Sequence, residues 1–226
     1  RNRTMMIVLW MTMMMIKKIT ILSFLCCVCF SSMLFAQHTD GGVWMSVGVS
    51  HEPVADFTID VNEEIRYNVS VAELYQINTN IGVDYKLSKK FKTGFDYRYS
   101  VRDGRNTNRF GWGISYKEGM QDFDLSLRSK FQYSPVPDGA EGTSWRNKAA
   151  LSYQINKDFS PFVSGELFYS MSNEIDQLDN YRVEAGLDYG PNKHHDFTIS
   201  WLYDVEFNVN NPDKMQVITF GYKHSF

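Results

Sequence analysis

From Phe57 to the end of the chain, apolar and polar side chains alternate with a period of two, in runs separated by turn-forming residues. Phe57, Ile59, Val61, Ile65 and Tyr67 share one parity, and Thr58, Asp60, Asn62, Glu64 and Arg66 share the other. In an extended chain these are opposite faces. Later runs repeat the scheme: Ile77, Ile81, Val83 and Tyr85 against Asn78, Asn80 and Asp84, and Phe95, Tyr97 and Tyr99 against Asp96, Arg98 and Ser100. In the second half, Phe123, Leu125, Leu127 and Phe131 oppose Asp124, Arg128 and Lys130; Val163 and Leu167 oppose Ser164 and Glu166; and Tyr181, Val183, Leu187 and Tyr189 oppose Arg182, Glu184 and Asp188. No segment shows helical periodicity, so the pattern predicts an all-β chain of about ten strands, with twelve as the alternative. One residue breaks the alternation: Glu63 takes the parity of the apolar face.

Alternation does not say which face looks outward, because a soluble barrel hides its apolar face and a membrane barrel its polar one. The polar face here is rich in glycine and interleaves charges of both signs, as a packed polar lumen does. The apolar face carries aromatics near both strand ends, as in Tyr181 with Tyr189 and Trp145 with Tyr153, which suits the two interfaces of a bilayer. These features predict a transmembrane up-and-down antiparallel barrel over residues 57–226. Among the 226 residues are 13 Tyr and 16 Phe, and aromatics make up 15%. The net charge of −3 leaves no basic footprint for nucleic acid, and a mean hydropathy of −0.33 is too polar for a helical membrane protein.

Lys17 and Lys18 precede an apolar run from Ile19 to Cys29, followed by Ser31, Ser32 and Ala36. This is the layout of a secretory signal at 15–36, cut near Ala36, with 1–14 an upstream extension or artefact and 37–56 a periplasmic amino-terminal segment. Leu34 is larger than the residue usual at its place. Cys26, Cys27 and Cys29 all lie within the apolar run, so the mature chain is expected to hold no thiol, disulfide or cysteine metal site.

The last run, Met215 to Phe226, puts Ile218, Phe220, Tyr222, His224 and Phe226 on one face. It resembles the carboxyl-terminal signal of bacterial outer-membrane barrels, with His224 a departure, and implies recognition by the barrel-assembly machinery. Counting back from a periplasmic Phe226, the connections NVNNPD, SNEIDQLDN, SPVPDGAEGTS, DGRNTN and NVSVAE fall outside and the shorter GPNKH, NKDFS, EGMQ and SKK inside, as such barrels require. Ten strands return both ends of the barrel to the periplasm. On that parity the apolar run Val43 to Val49 is not a full crossing but a short periplasmic, plugging or edge segment.

Trp44, Glu64-x-Arg66, Gly82-x-Asp84-Tyr85, Tyr97-Arg98-Tyr99, Arg146-Asn147-Lys148, Pro161 to Tyr169, Tyr181-Arg182 and Gly186-Leu187-Asp188-Tyr189 occur in an order that, with the last strand, resembles the outer-membrane barrels grouped as domain of unknown function 2490. The resemblance covers essentially the whole mature chain. It implies a barrel in the outer membrane of a Gram-negative bacterium, in contact with lipid, and transfers neither a catalytic residue nor a solute.

Candidate chemistry is sparse. His38 and His51 fall in the amino-terminal segment, His194 and His195 in a periplasmic turn, and His224 beside Ser225, whose side chain points to the other face. No histidine lies on an outer loop where a barrel hydrolase would place its base. The expectation is therefore no enzyme, no metal and no cofactor, with a barrel hydrolase the least favoured alternative. The best clue is the inward charge set: Glu64, Arg66, Asp84, Asp96, Arg98, Arg128, Arg146, Glu166, Arg182, Glu184 and Asp188. In a ten-stranded barrel of roughly 10 Å backbone radius such side chains must largely pair. The favoured reading is a closed structural or docking barrel with a salt-bridged lumen. A narrow channel or port for small solutes is the alternative.

Overall fold

The structure is a computed structural model that describes residues 40–102, 104–135, 142–171 and 176–226. The expected extension 1–14, the signal 15–36 with its cysteines, His38, and parts of the connections 134–144 and 171–180 lie outside the described residues. Eleven strands follow one another: β1 (Asp40–Val54), β2 (Phe57–Asn68), β3 (Glu73–Lys86), β4 (Phe91–Arg102), β5 (Arg105–Met120), β6 (Phe123–Ser134), β7 (Gly142–Tyr153), β8 (Phe159–Met171), β9 (Asp176–Asn192), β10 (His195–Glu206) and β11 (Lys214–Ser225). They close into one barrel in which each strand is antiparallel to its sequence neighbours and β1 lies between β2 and β11.

The closure corrects one expectation. The run containing Val43 to Val49 is neither a plug, an edge nor a segment outside the barrel; it is part of a 15-residue strand paired on both sides. β1 pairs parallel with β11, from Asp40 opposite Met215 to Ser50 opposite Ser225, and antiparallel with β2. An even strand count is required only where every neighbouring pair is antiparallel, and the β1–β11 pair is not. Parallel hydrogen bonding also satisfies both edges, and β1 has the needed alternation: Met45, Val47 and Val49 are exposed on the outside, while Trp44 and Ser50 are buried inside. Asp40 therefore lies at the far rim of the barrel from Ser225.

Burial is inverted relative to a water-soluble domain. Among the described residues the buried hydrophobics are Trp44, Leu202, Val205 and Val217, whereas Val61, Ile81, Phe95, Trp112, Leu127, Leu167, Ile199 and Phe220 are exposed on the outer wall. The buried set also includes Asn78, Ser100, Gln132, Glu166 and Ser200. A surface of this kind is seldom left against water.

Two aromatic bands bound the apolar wall. At the rim where the chain ends, a Phe at or near the start of one strand faces a Tyr on its neighbour: Phe57 with Tyr85, Phe91 with Tyr116, Phe123 with Tyr153, Phe159 with Tyr189 and Phe197 with Tyr222. Four of these pairs have ring centroids 5.1, 4.9, 4.6 and 5.0 Å apart, the range of favourable aromatic contact. Tyr67, Tyr99, Tyr133, Tyr169, Tyr181 and Tyr203 mark the strands toward the opposite rim. Between Phe57 and Tyr67 the chain takes ten steps of about 3.3 Å; with a tilt of about 40° the bands stand roughly 25 Å apart, the height of an apolar band in a bilayer.

Candidate functional site in the barrel lumen

Alternation on every strand sends the predicted charge set inward, and the register decides which members meet. Glu64 accepts from Arg66 Nε at 2.7 Å and from Asn78 Nδ2 at 2.8 Å. Glu166, only 6% exposed, takes Arg146 at 2.7 Å and Arg128 at 3.2 Å. Glu184 accepts from Lys148 at 3.0 Å and Ser200 at 2.8 Å. Arg182 pairs with Asp204 at 2.7 Å, Asp96 with Lys130 at 2.5 Å, Asp84 with Lys92 at 2.8 Å, and Asp188 accepts from Thr198 at 2.6 Å. Arg98 stands apart, donating to the neutral amide oxygen of Asn80. Glycine supplies floor space for one of these pairs. A Cβ at Gly111 would come within 2.6 Å of both Asp96 Oδ1 and Lys130 Cε, so the Asp96–Lys130 bridge can lie across β5 only because that position has no side chain.

Aromatic residues on the charged face bind these pairs into a larger structure. The Arg66 guanidinium lies 3.8 Å from the Trp44 ring centre. Arg182 lies 5.5 Å from the same ring and 4.8 Å from Phe168, and Arg146 covers Phe168 at 4.4 Å. Arg66, Trp44, Arg182, Phe168 and Arg146 thus form a row of cations and rings reaching from β2 to β7 through the lumen. Each cation in the row is also ion-paired, and cation–π contacts in a desolvated setting add about 2 kcal/mol each. Trp44 Nε1 donates to Tyr75 Oη at 2.9 Å, and Leu202, Val217 and Met215 pack around the indole.

Trp44, Phe168 and Tyr75 escaped the sequence reading. Trp44 lay in a segment assigned outside the barrel. Phe168 sits in the continuous run Leu167-Phe168-Tyr169, and the signal that could have placed it was its shared parity with Glu166 and Ser170. Tyr75 turns inward because the β2–β3 register shifts between Arg66 and Tyr67, an irregularity with no side-chain signature.

The charges are also segregated around the lumen. On β5–β7, above the rim pair Lys117–Asp124, the charged inward residues are Arg105, Arg109, Arg128, Lys130, Arg146 and Lys148, while β8–β10 present Glu166, Glu184, Asp188, Asp196, Asp204 and Glu206 with Arg182 their single inward cation among the described residues. Between the row and the rim where the chain ends are two cavities. One, of about 630 Å³, is lined by Trp44, Glu64, Glu184, Asp188 and Lys223 among others. The other, of about 240 Å³, is lined by Asn62, Asn80, Asp96, Arg98, Arg128 and Lys130 among others.

The remaining candidates lie at that rim or on the outer wall. His194 Nδ1 is 2.7 Å from the Ser225 carbonyl and His195 Nδ1 2.9 Å from Tyr222 Oη, so the β9–β10 turn is fastened to the last strand. Phe226 makes an edge contact with His224 at 4.6 Å. Ile218 and Phe220 face outward on β11, Phe220 being exposed.

The profile of the family described as "Protein of unknown function (DUF2490)" matches residues 41–216. The fold is shared with a solved structure of the porin NanC, with a TM-score of 0.52 and 14% sequence identity over 73% of this chain and 85% of that one. No curated protein matches the sequence.

Proposed function

The chain belongs to the DUF2490 family, and from that premise and the geometry of its lumen we propose that it is an outer-membrane β-barrel held closed by the row from Arg66 to Arg146. The outer wall supports the location, since its apolar band has bilayer height and is bounded by aromatic bands. The rim where the chain ends is the periplasmic one on this reading: its connections, 55–56, 87–90, 121–122, 154–158 and 193–194, are mostly shorter than 69–72, 103–104, 135–141, 172–175 and 207–213 at the other. The assembly machinery would read Ile218, Phe220, Tyr222 and Phe226 from that end. The role is structural or docking rather than catalytic. His51, His194, His195 and His224 gather at the periplasmic rim, away from the inward network.

The observation that carries the reading is the continuity of the row: five stacked groups whose cations are all ion-paired. A second reading, a port for small polar solutes, draws on the two cavities, on the separation of basic and acidic walls and on the porin fold. Liposome swelling decides between them. Vesicles holding the refolded protein should not swell in isotonic small sugars or zwitterionic amino acids; swelling at rates typical of open pores would favour the port.

A further inference from the structure

Arg98 on β4 and Arg109 on β5 stand directly opposite each other, both on the lumen face. Like charges so placed repel. Arg66, Arg128, Arg146 and Arg182 each have a carboxylate within hydrogen-bonding reach. Arg98 and Arg109 have none: among the described residues neither is ion-paired, Arg98 donates to neutral Asn80, and Arg109 Nε is buried without an acceptor. Asp96, on the same face of β4, is held at 2.5 Å by Lys130.

A second orphan donor belongs to the same corner. Gln132 is opposite Gly111 and so a diagonal neighbour of Arg109 across β5 and β6. It is 2% exposed, and its Oε1 accepts from Arg146 Nη1 at 3.3 Å. A guanidinium has no acceptor, which fixes the amide orientation. The Gln132 Nε2 group is left buried without a partner. Two donors in one corner, Arg109 Nε and Gln132 Nε2, therefore lack an acceptor, and Arg98 and Arg109 are two cations without a carboxylate partner that an anion would relieve of mutual repulsion. Arg98 lines the cavity of about 240 Å³, which gives a small solute room to approach.

We propose that Arg98, Arg109 and Gln132 form a binding site for a small oxyanion, the carboxylate or phosphate group of a solute. Two planar guanidinium forks match the paired oxygens of such a group, and the amide N–H supplies a neutral donor. The site stands whether or not the lumen conducts, because it requires access from one rim only.

The test uses the protein refolded in detergent micelles in chloride buffer, with inorganic phosphate or acetate titrated in at constant ionic strength and thermal unfolding followed by heat-modifiability on gels. At least one of the two anions should raise the wild-type midpoint along a saturating curve. Arg109→Gln and Arg98→Gln should abolish the saturating rise and, in chloride alone, unfold at a higher temperature than wild type, because a repulsion has been removed. Lys92→Gln, which breaks a pair elsewhere in the lumen, should keep the rise. The site is refuted by no rise with either anion, by a linear rise shared by wild type and Arg109→Gln, or by arginine variants that unfold earlier in chloride or fail to refold there.

Discussion

Glu63 and Glu64 show how strongly one step of parity changes a carboxylate's surroundings. Glu64 accepts from Arg66 and Asn78 inside the barrel; Glu63 is exposed on the outer wall between Val47 and Thr79, midway between the aromatic bands marked by Phe57 and Tyr67. A charge at that depth opposes insertion. Glu63→Leu should therefore raise the unfolding free energy in lipid vesicles by about 1–2 kcal/mol, measured by denaturant titration, and a loss of stability would show that this stretch of wall does not face lipid. Arg182→Ala acts in the opposite sense. It strands Asp204 and removes the link between Trp44 and Phe168, so a loss of about 3 kcal/mol is expected in the same titration; an unchanged midpoint would mean that Asp204 stays hydrated. Side-chain direction at these positions was legible, because a period of two leaves a charged residue only one inward parity. The partners were not, since pairing depends on register, and the unpaired state of Arg98 and Arg109 emerges only when β4 and β5 are aligned.

At the level of the strand, the alternation located every element from β2 to β11. It sorted the connections into the two sets that share a rim, although the connections are shorter than their polar composition suggested: β4 and β5 are joined across 103–104 alone. The miss was β1. Its sequence carries the same alternation as the others, and only an even count of antiparallel crossings, which the parallel seam makes unnecessary, speaks against it. The parallel seam is directly testable. Ser46 is the partner of Gly221, so a chain carrying Ser46→Cys and Gly221→Cys should form an intramolecular disulfide in the folded barrel, since neighbouring strands bring Cα atoms within the reach of such a bond. If β2 instead closed on β11 with β1 outside the wall, these two positions would not cross-link.

For the molecule as a whole, the sequence showed that charges fill the lumen, and the structure adds how they are organised: basic and acidic walls, a stacked row between them, and cavities on one side of it. The row depends on two aromatic side chains on the lumen face, Trp44 from the first strand and Phe168 from the eighth. Removing both should leave the ion pairs of Arg66, Arg146 and Arg182 in place while taking away the rings between them. The most direct measurement is single-channel conductance in planar bilayers of the wild-type barrel beside the Trp44→Ala, Phe168→Ala double variant. A closed lumen predicts silence or rare flickers from the wild type and discrete, sustained steps from the variant. Sustained wild-type steps of the same size as the variant's would contradict it.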